Sequence, residues 1–548
     1  MSVGAARFYY LDNFHRALAW LRERYEDLLG PDEIRFAEVF SGLPVNSAAL
    51  LVRMITRHGD VFRRSRLEYE EIGCIRRAIE PLVAAAFVDP QSPLAWQEVQ
   101  RLLTKAELAA AFEVPHPWRR ARKPQLVQYL QAIQDSTDGV AGWLRRADDA
   151  IYRLAVAGLC DRLRILFFGN FRQDWSEFVL TDLGIFRYER IPLAQNARAF
   201  QRREEIDQFA ALYRCRQLLH ADAEPDRALA AMPPALTDCD WIEARRARLM
   251  FQIARQFERA RRLPEALRAY LSCGYAQAKV RSVRVLEKLD RRSEAWDLLV
   301  SLESNAASEA TLHECQRIGR RLARKLGHRI EARRAKPAWP TFELRIPASA
   351  GRLPVEELAA ERLARAHAPV FFVENTLLNS LLGLLCWEAI FAPLAGAFFH
   401  EFQAAPADFA APDFRARRER EFAVCFARLA SNEYRAHILS VFTQKAGMAS
   451  PFVAWGALTT QLLTLSLDCI PRAHLRACFE RILADIPANR AGLPDLIQFF
   501  PEQRRYRLIE VKGPGDRLQA NQMRWLGFCA SRGIEVAVCK VVPEAGLT

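Results

Sequence analysis

Through most of the first 340 residues apolar positions recur every three or four residues, and runs of β-branched residues are few. That period predicts amphipathic helices. "LAWLRERYEDLL" and "NSAALLVRMITR" each carry one apolar face, so residues 1–65 are expected to form a small helical region. "LLTKAELAAAF" and "QLVQYLQAI" are two short amphipathic helices on either side of the basic, turn-rich "EVPHPWRRARKP". Helices continue from about 150 to 340, with an internal echo: "RRLPEALRAY" returns as "DRRSEAWDLL", matching Glu265 and Ala266 to Glu294 and Ala295. Helix pairs repeating at roughly 30–34 residues are expected of a tetratricopeptide-like array. The pattern changes only near the end of the chain. "LPDLIQFF" and "YRLIEVK", on either side of the turn segment "PEQR", predict an antiparallel hairpin.

Register gives this hairpin its chemistry. With the turn centred on Glu502 and Gln503, residues whose numbers share one sum face each other, and Asp495 falls directly opposite Glu510. Opposed residues share a sheet face, with Cα atoms about 4.5–5.5 Å apart. Alternation puts Tyr506, Leu508, Glu510 and Lys512 on that face and turns Ile509 and Val511 to the other. Two carboxylates so close repel, and one is driven to keep its proton unless a cation lies between them. Mg²⁺ or Mn²⁺ removes the conflict, because a hard ion takes oxygen ligands and needs only two carboxylates, a backbone carbonyl, waters and phosphate oxygens. With Lys512 beside it to orient or deprotonate a water, the pattern points to phosphodiester hydrolysis. The spacing also fits a simpler arrangement, in which Asp495 caps a strand and Glu510 and Lys512 form an edge-strand ion pair that discourages aggregation. Upstream, Glu374 opens the apolar segment "VENTLLNSLLGLLCWEAIF", where the helix dipole favours a carboxylate as a capping charge. Glu388 lies about four turns further along the same expected helix, so the two cannot share one ion.

Composition narrows the setting. The 548 residues are 51% hydrophobic and 26% charged, an ordinary globular balance that fills about three or four domains. The net charge is +13 and the pI about 9.3. Arginine outnumbers lysine, which suits bidentate phosphate contacts, although genome composition produces the same bias. The 12 cysteines are scattered singly without a CxxC pair, as expected of free thiols in a reducing compartment. "MSVGAARFYYLDNF" lacks the basic start and apolar core of a signal peptide. The stretch Val370 to Phe399 is interrupted by Glu374, Asn375, Asn379, Glu388 and Pro393, and is expected to be a buried helix pair rather than a membrane span. There is no Walker-type loop, HExxH or GxSxG, so ATP is not implied.

"GLPDLIQF", then "LIEVKGPGDRLQANQMRWL" and a closing "IEVAVCKVV", resembles the VRR-NUC branch of the PD-(D/E)xK nucleases, and within it the Fanconi-associated nucleases. The resemblance implies metal held by Asp495, Glu510, the Val511 carbonyl and Glu374. It makes Asp495, Glu510, Lys512 and Gln522 the catalytic set, with Lys512 handling the water and Gln522 hydrogen-bonding within the site from the following helix. Arg490 and Arg517 flank the hairpin as phosphate contacts, and a plain surface role serves them equally. The two helices around the basic linker resemble a SAP module, which implies Arg119, Arg120, Arg122 and Lys123 on backbone phosphates and Trp118 beneath them or against a sugar. A solvated loop between helices is the plainer account. The ubiquitin-binding zinc finger of animal members is not expected near the start, since the first cysteine is Cys74.

"CQRIGRRLARKLGHRIEARRAK", residues 315–336, has nine Lys/Arg against one Glu. A stripe of Ile318, Leu322 and Leu326 would hold this helix to the protein, leaving Arg324 and Lys325 to follow a duplex backbone or simply to be solvated. "PAWPTFELRIPAS" is a proline-rich break. The expected organisation is a helical region 1–65, a SAP-like domain 66–150, a helical linker with tetratricopeptide-like repeats 151–344, and an α/β PD-(D/E)xK nuclease domain 345–548 with a helical insertion at about 406–487. By the family comparison that insertion blocks the dimer face of minimal VRR-NUC proteins and implies a monomer. The expected function is a Mg²⁺- or Mn²⁺-dependent 5′ flap endonuclease and 5′-to-3′ exonuclease in DNA interstrand cross-link repair, with DNA as partner and neither membrane nor nucleotide cofactor. A Holliday-junction resolvase or restriction-type nuclease, or a noncatalytic DNA scaffold, are the alternatives. The expected location is the cytoplasm, on the nucleoid, in a bacterium, or the nucleus in a eukaryote.

Overall fold

The computed structural model describes residues 8–57, 59–133, 137–170, 173, 175, 187–192, 197–221, 225–236, 238–305, 309–328, 339–346, 354–400 and 403–543. The chain divides into two compact units, Met1–Ile185 with Phe200–Ala210, and Phe186–Ala199 with Ala211–Thr548.

In the first unit, the helices Tyr9–Tyr25, Pro31–Ser41 and Val45–Ile55 turn their apolar faces onto one core, where Phe14, Tyr25, Phe36 and Phe40 are fully buried. Pro31 sits in the first turn of its helix, and the Glu33 carboxylate closes that turn by accepting the Gly30 N–H at 2.6 Å. The unit is not purely helical. Three short strands, β1 (Val61–Arg63), β2 (Val88–Asp89) and β3 (Ile151–Leu154), form an antiparallel sheet of order β1-β3-β2. Two to four residues are too few to show alternation, which is why the pattern gave no sign of them. Between β2 and β3 the chain makes an excursion through five helices, from Trp96–Leu102 to Asp138–Arg146, before β3 returns to the middle of the sheet. The excursion is latched at both ends. Arg153 on β3 reaches Asp60 and Glu98 at 2.9 Å, and Arg63 on β1 bonds Glu107 and Asp149.

The second unit begins as stacked helices: Asp240–Arg259, Leu263–Leu271, Ala276–Lys288, Arg292–Ser304 and Glu309–Leu326, each packed on the next. The echo read in the sequence has a structural basis. Ala266 and Ala295 are both fully buried at helix contacts, and Arg262 and Arg291 pair with Glu265 and Glu294 three residues on. Arg261 and Asp290, the first residues of the two motifs, take the same left-handed conformation, with φ 60°. In the helix Glu309–Leu326, Ile318 and Leu322 are buried as the apolar stripe required, while residues 329–336 of the basic run lie outside the described residues.

The C-terminal part is a five-stranded mixed sheet of order β4-β8-β7-β6-β5: β4 (Thr341–Ile346), β5 (Val370–Phe372), β6 (Leu496–Phe500), β7 (Arg505–Lys512) and β8 (Val536–Pro543). The boundary expected at 345 therefore falls inside a strand. β8 runs parallel to both β4 and β7, and the helix Ala520–Ser531 makes the crossover from β7 to β8. Alternation sorts the strand residues into two cores. Ile497, Phe499, Tyr506, Leu508, Val536 and Val538 join the large core that includes Trp525 and the helices after residue 406, whereas Leu496, Ile509, Val511 and Cys539 pack toward the helix Val355–Leu363. The expected helix pair at 370–399 is instead strand β5, a turn, the helix Leu377–Leu385 and the short helix Trp387–Ile390. Among the described residues no helix is long and apolar enough to cross a membrane.

The segment after residue 406 is anchored by one buried ion pair. Arg418, fully buried, presents both terminal nitrogens to Asp408 at 2.7 and 2.8 Å and lies over the Phe414 ring. Removing the carboxylate strands the guanidinium in an apolar site. Asp408→Ala is expected to lower stability by about 3–5 kcal/mol in equilibrium urea unfolding; a loss below about 1 kcal/mol would mean the pair behaves as a surface contact.

Candidate active site

The observed pairing is the one the turn position predicts: Leu496 faces Ile509, Ile497 faces Leu508 and Phe500 faces Arg505. Extended by one residue, that register sets Asp495 opposite Glu510. Asp495 is tied at both ends. Its carbonyl accepts the Val373 N–H at 2.8 Å, and its Oδ2 accepts the Val511 N–H at 2.7 Å. Glu510 has no exposure at all, and Lys512 Nζ lies 2.7 Å from its Oε1. Oε1 is thus ion-paired, while Oε2 is buried with no partner among the described residues. A buried carboxylate with one oxygen unsatisfied and a second carboxylate facing it is a costly group, and it fits a cation ligand.

The electrostatics agree. Burial pushes the Glu510 carboxyl up to about 8, the facing Asp495 charge adds to the rise, and Lys512 opposes it. Asp495 is pushed up to about 6, again chiefly by burial and against the pull of the Val511 N–H and Lys512. The Glu374 charge adds to the rise at both groups, so its field reaches the pair, although among the described residues no three acidic, histidine or cysteine side chains stand close enough together to hold an ion as they are placed. A fourth carboxylate, Glu356, was not singled out in the sequence; it also lifts Asp495, from the first turn of the helix Val355–Leu363. The acidic pair after Pro354 in "PVEEL" was the available signal.

Glu374 reaches this position in a way the sequence did not suggest. It does not open a helix. It lies in a turn before Leu377–Leu385, followed by Asn375 with φ +52°. Glu388 is excluded by its own partners, Arg428 at 3.1 Å and His437 at 3.7 Å. Gln522 is also placed differently: it is the third residue of the helix Ala520–Ser531, and its Oε1 caps that helix by accepting the Gln519 N–H at 2.8 Å. The start of this helix packs closely on the segment that leads into Asp495. Gly492 has φ +87°, and a Cβ there would come 2.7–2.8 Å from Asn521, so only glycine fits.

The basic residues divide. Arg490 donates to the Pro451 carbonyl at 3.1 Å and lies over Phe409, a structural role. Arg517 is exposed, and its guanidinium makes no ion pair or hydrogen bond among the described residues. Trp118 stacks on Tyr129, with ring centroids 4.4 Å apart, rather than beneath the arginines. Arg119 is held by the Val114 carbonyl at 2.7 Å; Arg120 and Arg122 are exposed, and Lys123 begins the next helix. In the basic helix Lys325 is drawn to Glu287 at 4.0 Å, and Arg321 pairs with the same carboxylate, while Arg324 has no such partner among the described residues. The described cysteines are all free thiols.

A mixed sheet whose hairpin carries Asp, Glu and Lys, backed by a crossover helix, defines a nuclease of the VRR-NUC class, and the chain matches the VRR-NUC domain over residues 430–543. It also matches the FAN1 HTH domain over 8–89 and the Fanconi anemia-associated nuclease SAP domain over 93–143. The SAP match coincides with the excursion between β2 and β3. The chain is 45% identical over 534 residues to the Fanconi-associated nuclease 1 homolog of Pseudomonas aeruginosa, covering 97% of this chain and 96% of that one. It is 25% identical over 612 residues to the Arabidopsis thaliana homolog, covering 97% and 67%. The crystal structure of paFAN1 bound to 5′ flap DNA with a 2-nucleotide flap and a gap superposes with a TM-score of 0.90 at 44% identity over 99% of each chain. The chain belongs to the Fanconi-associated nuclease family and is a DNA nuclease.

Because both carboxyl pKa values are raised on folding, the native state holds more protons than the unfolded chain between about pH 4 and about pH 8, and their contribution to stability falls as pH rises through that window. Melting curves in EDTA are expected to show Tm dropping from about pH 5 to about pH 8 more steeply in the parent than in Glu510→Gln, with added Mn²⁺ restoring it most at the upper end, where the ligands are charged. Parallel profiles for parent and variant would show that Glu510 does not titrate as described.

Proposed function

We propose that the protein cuts DNA beside a 5′ flap and trims from 5′ ends, using Mg²⁺ or Mn²⁺, in the repair of interstrand cross-links. The observation that carries this reading is the buried Glu510, its Oε2 without a partner and its carboxylate facing Asp495, on a chain 44% identical to paFAN1, whose structure holds 5′ flap DNA. Asp495, Glu510, Glu374 and the Val511 carbonyl are the groups that would hold the ion. A bound divalent ion neutralises charge on the scissile phosphate and makes a nucleophile available at neutral pH. Lys512, held beside Glu510, orients the attacking water with its ammonium and offers positive charge to the phosphate as negative charge develops. Asp495, pinned by the Val511 N–H, stays fixed while DNA enters. Arg120, Arg122 and Lys123 in the SAP segment, with Arg324 and Arg517, supply phosphate contacts that fix register without reading sequence. The protein acts as a monomer, the helices after residue 406 covering the face that minimal relatives pair through. Its location follows its substrate, on the nucleoid in a bacterium or in the nucleus of a eukaryote.

The test uses a labelled, 5′-phosphorylated flap with Mn²⁺. Lys512→Ala is expected to lose about 10²–10⁴-fold in cleavage rate, and Asp495→Ala to abolish cleavage while flap binding persists. Retained cleavage by Asp495→Ala would remove the mechanism. Paired symmetric nicks in a four-way junction, made by a dimer, would assign the resolvase reaction instead.

A further inference from the structure

Of Glu374, Asp495 and Glu510, Glu374 is the one that is exposed. It lies in a turn, so its side chain has rotamer freedom that a ligand must lose. Two asparagines restrict it. Asn375 takes a left-handed conformation, φ +52°, which asparagine tolerates better than most residues. In that conformation its side chain reaches both ways: Nδ2 donates to Glu374 Oε1 at 3.0 Å, and Oδ1 accepts the Leu493 N–H at 3.1 Å, two residues before Asp495. Asn379 lies one helical turn on and is 3% exposed. Its Nδ2 donates to two carbonyls at once, Asn375 at 2.8 Å and Arg490 at 2.8 Å.

Asn379 is a poor choice for stability alone. It lies in a leucine-rich helix, and its own Oδ1 is buried without a partner. Leucine would fill the place without an orphaned acceptor. What the amide provides is a cross-brace between the turn that carries Glu374 and the segment that leads into Asp495.

We propose that Asn375 and Asn379 are positioning residues that hold the Glu374 carboxylate toward the Asp495–Glu510 pair and so set the affinity of the site for its divalent ion. The inference rests on the metal reading given above. Neither asparagine touches substrate; each acts through Glu374.

The experiment titrates Mn²⁺ into the full-length protein without DNA by calorimetry and records melting curves in EDTA. Asn379→Leu removes the brace but keeps the volume, and Asn375→Gly removes both side-chain bonds but permits the positive φ. Both are expected to weaken Mn²⁺ binding by about 10–100-fold, with Tm in EDTA unchanged or, for Asn379→Leu, raised, and with kcat on flap DNA recovered at saturating Mn²⁺. Parental Mn²⁺ affinity in both variants, with Glu374→Gln weakened, overturns the proposal and leaves the metal reading intact. A lowered Tm with parental affinity also overturns it, because the residues would then be purely structural. Parental affinity in Glu374→Gln and Asp495→Ala overturns the metal reading and this proposal together. Should Asn379→Leu fail to fold, Asn375→Gly decides.

Discussion

The mutual repulsion of two carboxylates held on adjoining strands is the constraint from which the nuclease sheet takes its meaning. Asp495 and Glu510 are both buried, and the chain gives them one ammonium, one backbone N–H and no water-facing escape. A protein that needed only stability would place apolar residues there, as it does at Leu496, Ile509 and Val511 on the reverse face. The polar set is one that a cation would complete, as proposed above, and the fold around it keeps the two strands in register. The β8 ladder, the crossover helix with buried Trp525, and the Val373–Asp495 backbone bond all fix where these two side chains stand.

The hairpin chemistry was legible because it depends on local rules. A turn position and strict alternation decide which side chains meet, and neither depends on the rest of the chain. The basic helix was half legible: the stripe of Ile318 and Leu322 follows from helical period, but the capture of Lys325 and Arg321 by Glu287 comes from the neighbouring helix and leaves no trace in the run itself.

Where the reading departed from the structure, tertiary context or a competing local preference had won. Glu374 looked like the opening of a helix, yet the chain turns at Asn375 before the helix begins, and the amide contacts that fix the turn come from residues more than a hundred positions away. Gln522 looked like a site residue, and it satisfies its own helix terminus first. Asn375 and Asn379 entered the sequence argument only as polar interruptions of an apolar run. Nothing in their spacing distinguishes a cross-brace from a blemish. The three strands of the first unit were invisible for a simpler reason, their length.

The order of strands in the nuclease sheet has a consequence for how the enzyme comes into being. β8 separates β4 from β7, yet it is synthesised after both. Until it emerges from the ribosome, β4 and β7 each present an unfilled edge, and the sheet that shields the acidic hairpin is open. Such long-range, late pairing folds slowly. It also means that every acidic residue of the site is already in the chain before the sheet around it can close, because β8 supplies the partner that β4 and β7 both lack.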